Sequence, residues 1–215
     1  MSFDKAKNLS KDGSGYAFAV VASRFNGELV DALLEDVLKV FSDGGVESAN
    51  IRVVRVPGAT EIPAMASLLA STGNYDAVVA LGVVIKGQTP HHEIIGNSTA
   101  VALQHAAVKS GVPIINGIIV TNDRSQAEAR TTGKIRRGVE FGESALDMAH
   151  VAEDVFSEYL DSVDNGDFFD EDFGEGVAEF LDGDDDVVLL PEDEIYEKGV
   201  QKKRVAKRSR KPRKG

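Results

Sequence analysis

The chain has 215 residues, enough for one domain with appendages or for two small domains, and its 42% apolar content can fill a core of ordinary size. It contains no cysteine, which excludes disulfides, thiolate nucleophiles and cysteine-ligated metals. The net charge of −11 is unevenly spread: residues 1–152 carry 16 acidic and 14 basic side chains, residues 153–197 carry 19 acidic and no basic ones, and residues 198–215 carry ten basic and no acidic ones.

After a flexible segment expected at 1–13, Tyr16 to Ala22 is a short continuous apolar run, the pattern of a strand buried on both faces. Val30, Leu33, Leu34, Val37, Leu38 and Phe41 then recur at helical spacing, and Gly44-Gly45 ends that helix. Ile51 to Val56 reads as a second strand, and Ile62 to Leu69 as a helix with Pro63 in its first turn. Ala77 to Ile85 is a β-branched third strand. A longer helix follows from about Glu93 to Lys109, with Gly111 as its stop, and Ile114 to Val120 is a fourth strand. Two more helices are predicted, one around Ser125 to Arg130 and one from about Val139 to Ala152. Strands alternating with helices predict an α/β fold, a flavodoxin-like three-layer sandwich with a four-stranded parallel sheet of order 2-1-3-4.

This places an α/β domain at 14–156. Beyond it, carboxylates interleaved with glycines cannot bury enough apolar area to offset ordering entropy and self-repulsion, so 157–197 is expected to be an acidic disordered tail and 198–215 a basic one. The opening residues hold no secretory apolar run, and no stretch approaches the roughly 20 apolar residues of a membrane span, so a cytoplasmic protein away from membranes is expected. Binding of nucleic acid would rest on the last 18 residues alone, and the adjoining acidic block would repel its phosphates.

Open α/β sheets bind ligands at the carboxyl ends of their strands, and the chemically distinctive residues fall there. Ser23-Arg24-Phe25-Asn26-Gly27 follows the first strand and Pro57-Gly58-Ala59-Thr60-Glu61 the second. Lys86-Gly87-Gln88-Thr89-Pro90-His91-His92 follows the third and Thr121-Asn122-Asp123-Arg124 the fourth. Gly87 permits close backbone approach, Thr89 offers a hydroxyl, and the helix that begins beside them favours a phosphate at its N-terminus. His91 and His92 either simply start that helix or serve a proton transfer there. His105, in the middle of the helix, is read as an ordinary helical residue. Phe25 is read either as core or as an aromatic that stacks on a planar heterocycle. Glu61 is favoured at a helix start in any case. Arg130, Lys134, Arg136 and Arg137 are either a solvated basic face or a source of phosphate ligands.

Taken together, Arg24-Phe25-Asn26, Val56-Pro57-Gly58-Ala59-x-Glu61-Ile62-Pro63, Ala80-Leu81-Gly82-x-Val84-Ile85-x-Gly87-x-Thr89-x-His91 and Gln126-Ala127-x-x-x-Arg130 resemble the lumazine synthase family of riboflavin biosynthesis over Tyr16 to Ala152. The resemblance implies an enzyme that joins 5-amino-6-ribitylaminouracil to 3,4-dihydroxy-2-butanone 4-phosphate, giving 6,7-dimethyl-8-ribityllumazine and phosphate without metal or cofactor. It implies His91 as the proton-transfer residue. Phe25, Asn26, Gly58, Ala59, Thr60, Glu61, Val83, Val84, Ile85 and Asn116 would bind the organic substrate, and Gly87, Gln88, Thr89 and Arg130 the phosphate. It further implies a homo-oligomer, a pentamer or a 60-subunit shell, with Asn116 and Arg130 entering the neighbouring subunit's site and riboflavin synthase or other cargo as a partner. Thr60, His92 and Asn116 stand where the family usually carries aromatic residues. A non-catalytic relative, forming shells or binding lumazine, is the alternative.

Overall fold

The computed structural model describes residues 12–164. The element order is β1 (Phe18–Ser23), α1 (Gly27–Asp43), β2 (Ile51–Val56), α2 (Ile62–Ser71), β3 (Ala77–Ile85), α3 (His91–Ser110), β4 (Ile114–Thr121), α4 (Arg124–Arg130) and α5 (Arg137–Asp164). Short 3₁₀ turns at Ser48–Asn50 and Ala59–Glu61 precede β2 and α2. All strand pairings are parallel and the order is β2-β1-β3-β4, as the alternation of strands and helices predicts.

Parallel strands need crossovers, and the crossover helices cover the sheet on both faces. On one face Phe18, Val20 and Ala22 of β1 join Leu29, Leu33, Val37 and Phe41 of α1 and Ala145, Leu146 and Ala149 of α5. Phe18 and Phe41 stack with ring centroids 4.3 Å apart. On the other face Ala19 and Val21 pack with Ile62, Ala66 and Ala70 of α2 and Leu103 of α3. The central strands β1 and β3 are buried almost throughout, which is why they read as unbroken apolar runs. The edge strand β2 leaves Arg52, Val53 and Arg55 exposed.

Two glycines are fixed by sterics. Gly111 ends α3 at φ 64°, left-handed backbone that a side chain disfavours. At Gly117 of β4 a Cβ would lie 2.8 Å from the Ala80 carbonyl and 2.9 Å from the Phe141 ring, so only glycine lets α5 pack against this strand.

Two boundaries differ from expectation. Gly13, assigned to a flexible segment, is buried and donates its N–H to Gly44 O at 2.6 Å; residues 1–11 lie outside the described residues. The last helix was expected to end near Ala152 but runs to Asp164, so residues 157–164, the first of the expected disordered tail, are helical. No glycine or proline stands between Gly142 and Gly166, and a gain in negative charge alone does not terminate a helix. The compact α/β unit closes at Ala152 and a second unit starts at Glu153; the rest of the expected tail, from 165 on, lies outside the described residues.

Candidate active site

The four loops at the carboxyl ends of the strands are tied to one another by hydrogen bonds. Arg24 and Phe25 donate their backbone N–H groups to Val56 O (2.8 Å) and Pro57 O (3.1 Å), which joins the first loop to the second. Asn26 adopts left-handed backbone (φ 54°, ψ 41°) and donates Nδ2–H to Val83 O at 2.8 Å, which joins the first loop to β3. Asparagine is among the few non-glycine residues that visit this conformation readily. Lys86 N–H donates to Thr121 O at 2.9 Å, joining the third loop to the fourth. Arg124 closes the ring from the α4 side, donating to Glu128 (2.7 Å) and to Glu28 at the start of α1 (3.3 Å); these contacts raise its already high pKa.

Within this frame Phe25 holds its ring out, 71% exposed, although an aromatic after a buried strand more often turns into the core. Gly82 sits behind the second loop. A Cβ there would come within 3.2 Å of the Ile62 side chain, so the glycine lets the start of α2 rest close against β3. Glu61 turns its carboxylate back onto its own loop, where it accepts from Thr60 Oγ1 at 2.7 Å and Gly58 N–H at 2.8 Å. The Thr60 hydroxyl first, and the Gly58 amide second, hold the Glu61 carboxyl below its ordinary range, so it is ionised at neutral pH. Thr60 thereby acts as a donor that orients Glu61.

Gly87, Gln88 and Thr89 are exposed and lead through Pro90 into the first turn of α3. The helix starts at His91, two residues earlier than its periodicity predicts. His91 is exposed. His92 is 6% exposed, its Nδ1 3.3 Å from Thr89 O and its Nε2 3.7 Å from Glu93. The two adjacent histidines therefore differ in kind: one faces solvent at the helix start, and the other braces the loop before it.

Phe25, Asn26, Gly58 to Glu61, Val83 to Ile85, Gly87 to Thr89 and His91 thus all stand on connected loops or on the last residues of β3. Asn116 is not brought to this edge. It pairs in register with Ala80, three positions before the Val83–Ile119 pair, and its Oδ1 accepts from Ile118 N–H. Arg130 closes α4 and donates Nη1–H to Gln126 O at 2.9 Å. The other basic residues of that region divide: Arg136 pairs with buried Asp36, Arg137 pairs with Glu140, and Lys134 is exposed.

Sequence reading overlooked two features. Asp123 caps α4, accepting from Gln126 N–H (2.8 Å) and Ser125 Oγ (2.9 Å), while Gln126 Oε1 accepts from Asn122 N–H (3.3 Å). The Gln126 amide, then the Ser125 hydroxyl, lower the Asp123 pKa. The Asp-x-x-Gln spacing is a capping-box signal and would have located this turn. The second feature is the Asp36–Arg136 pair. Among the described residues no group of three or more His, Asp or Glu side chains is arranged to hold a metal ion, and no helix is long and apolar enough to cross a membrane.

A parallel sheet of order 2-1-3-4 whose laced carboxyl-end loops lead into a helix N-terminus defines a flavodoxin-like α/β protein with a small-molecule site. Residues 15–153 match the family model for 6,7-dimethyl-8-ribityllumazine synthase, and the chain belongs to that family. Relatives bearing that name include a protein of Thermococcus onnurineus (strain NA1), 40% identical over 139 residues that make up 65% of this chain and 90% of the relative. A protein of Nitratidesulfovibrio vulgaris (strain DP4) is 37% identical over 145 residues, 67% of this chain and 93% of its own. One from Xylella fastidiosa (strain 9a5c) is 37% identical over 141 residues, 65% of this chain and 92% of its own.

Proposed function

We propose that the chain condenses 5-amino-6-ribitylaminouracil with 3,4-dihydroxy-2-butanone 4-phosphate, forming 6,7-dimethyl-8-ribityllumazine and inorganic phosphate. The observation that carries this reading is the family match across residues 15–153, which spans every loop of the site. The diamine is itself the nucleophile and phosphate is a good leaving group, so the protein's task is orientation and proton transfer.

In this reading the exposed Phe25 ring stacks on the pyrimidine, and the backbone around Asn26, Gly58 and Ala59 holds the ribityl chain with Thr60 and the ionised Glu61. Val83, Val84 and Ile85 line the floor. Gly87, Gln88 and Thr89, at the positive end of α3, take the phosphate together with Arg130. His91 moves protons during imine formation, phosphate elimination and ring closure.

Asn116 lies away from this chain's own carboxyl-end loops, which supports a site completed by a neighbouring copy that brings Asn116 and Arg130 to it. The apolar side chains Ile94, Val101 and Val108, seven residues apart along α3, are all exposed in the single chain and suit a helix-to-helix contact between copies. A pentamer, alone or closed into a 60-subunit shell that holds cargo in the cytoplasm, is the assembly this reading expects.

The test is a two-substrate assay that follows lumazine formation optically and phosphate release in parallel, with the mass of the assembly measured on the same sample. Product with an equal amount of phosphate supports the condensation. An intact assembly with no product above the uncatalysed rate would instead favour a non-catalytic relative.

A further inference from the structure

We propose that Asp36 and Arg136 form a latch that positions the connector between α4 and α5, making Asp36 a positioning residue for the phosphorylated substrate. The inference rests on Arg130 being a phosphate ligand.

Arg136 has φ 47°, in the left-handed region that a residue bearing a Cβ avoids. What holds it there is a two-pronged ion pair. Nε donates to Asp36 Oδ2 at 2.9 Å and Nη2 donates to Asp36 Oδ1, the fork geometry that suits guanidinium and carboxylate. Asp36 is 2% exposed on α1, between Leu33 and Val37 of the core. A carboxylate in that position is costly without a partner, so Asp36 depends on Arg136, whose own side chain is about half exposed.

The latch fixes one end of a short segment. Val139 N–H donates to Arg136 O at 3.1 Å, which starts α5. Two residues after Arg136, a Cβ on Gly138 would lie 2.5 Å from Asp36 Cβ and 2.6 Å from Leu33 O, so α5 begins hard against α1. The other end is fixed by Thr131, fully buried, whose Oγ1 and N–H both donate to Ala127 O. Gly133 N–H and Ile135 N–H reach back to Glu128 O (2.8 Å) and Ala129 O (3.1 Å). Exposed Lys134 stands between these anchors, and Arg130 immediately precedes the first.

Only the Asp36 side of the pair is buried, the Arg136 side chain being 52% exposed, and a half-exposed pair contributes modest net stability, so its use here is orientation. Releasing Arg136 from Asp36 frees its backbone to leave the left-handed region, and the segment from Gly133 to Ile135, which bonds back to Glu128 O and Ala129 O beside Arg130, shifts with it and moves Arg130. Glycine at 136 would adopt the same backbone without strain and would need no carboxylate partner.

The experiment compares Asp36→Ala, Asp36→Asn, Asp36→Ala/Arg136→Gly and Arg130→Ala in the full chain. It reads kcat, KM for each substrate, the inhibition constant of inorganic phosphate, and the mass of the assembly. Asp36→Ala and Asp36→Asn should raise KM for the phosphorylated butanone and the phosphate inhibition constant about tenfold, while kcat and KM for the diamine stay within about twofold. The double variant should return both constants most of the way, and Arg130→Ala should raise them at least as far. If Arg130→Ala raises them and neither Asp36 variant does, the latch is refuted and the phosphate reading stands. If Arg130→Ala leaves them unchanged, the phosphate reading fails and the latch falls with it. Loss of assembly in every Asp36 variant, including the double one, would reduce the pair to a structural element and overturn the proposal.

Discussion

His91 and His92 are neighbours in sequence with opposite surroundings, and the contrast decides what each substitution should do. His91 is exposed at the start of α3, so His91→Ala should leave fold and assembly intact. Removing a proton-transfer group typically costs about 10²–10⁴-fold, whereas orientation and the leaving group remain, so slow turnover above background is expected in a single-turnover assay. Complete loss with intact substrate binding would contradict that role. Glu61 gives a prediction in pH. Its carboxyl pKa lies below the ordinary 4.5 because the folded loop supplies two donors to the ionised form. Its contribution to stability is therefore present above pH 4.5 and fades as pH falls through the lower folded value. The difference in unfolding midpoint between the parent chain and Glu61→Gln should narrow on acidification below that point; a constant or widening gap would rule out this linkage. At this scale the sequence was informative about residue type and location. It did not reveal that Thr60 orients Glu61, because a hydroxyl one residue before a carboxylate has no periodic signature.

The strands were legible because burial on both faces leaves no room for polar residues in β1 and β3, and a continuous apolar run reports that directly. Helix starts were read late where capping is weak. At α3 the N-cap is Pro90 and makes no side-chain hydrogen bond, so periodicity alone placed the start at Glu93. The end of α5 was misread for a different reason: a change in composition suggested a boundary, but helices stop at glycine, proline or a cap rather than at charge. Asp36 shows the limit most clearly. It falls on the buried side of α1, as its spacing from Leu33 allows, so a partner was required. That partner is 100 residues away and sits in a run of basic residues that looks like an ordinary solvated face. Gly117 offers an element-level test. A methyl group there would press on the Ala80 carbonyl and the Leu81 side chain at 2.8 Å, so Gly117→Ala should destabilise the chain by about 1–3 kcal/mol, read as a lower urea midpoint with an unchanged slope. A neutral result would mean that β3 and β4 can separate slightly without loss.

For the whole molecule, the exposed row Ile94, Val101 and Val108 and the unshielded Phe25 point the same way: a single copy leaves both its apolar helix face and its site open. Val101→Glu should therefore shift the assembly toward smaller species in sedimentation, with activity falling in step. Smaller species that keep full activity would place the entire site within one chain. The proposed assembly also bears on how the protein ages. The link between the first loop and β3 is the Asn26 amide, and Asn26 is followed by Gly27. An asparagine before glycine is the pair in a polypeptide most prone to cyclise and lose its amide nitrogen. Deamidation here would exchange the donor that meets Val83 O for a carboxylate oxygen, turning an attraction into a repulsion at the base of the loop that carries Phe25. Each copy carries three such pairs, Asn26-Gly27, Asn116-Gly117 and Asn165-Gly166, so a particle built from many copies would lose its sites one at a time while its outer form persisted.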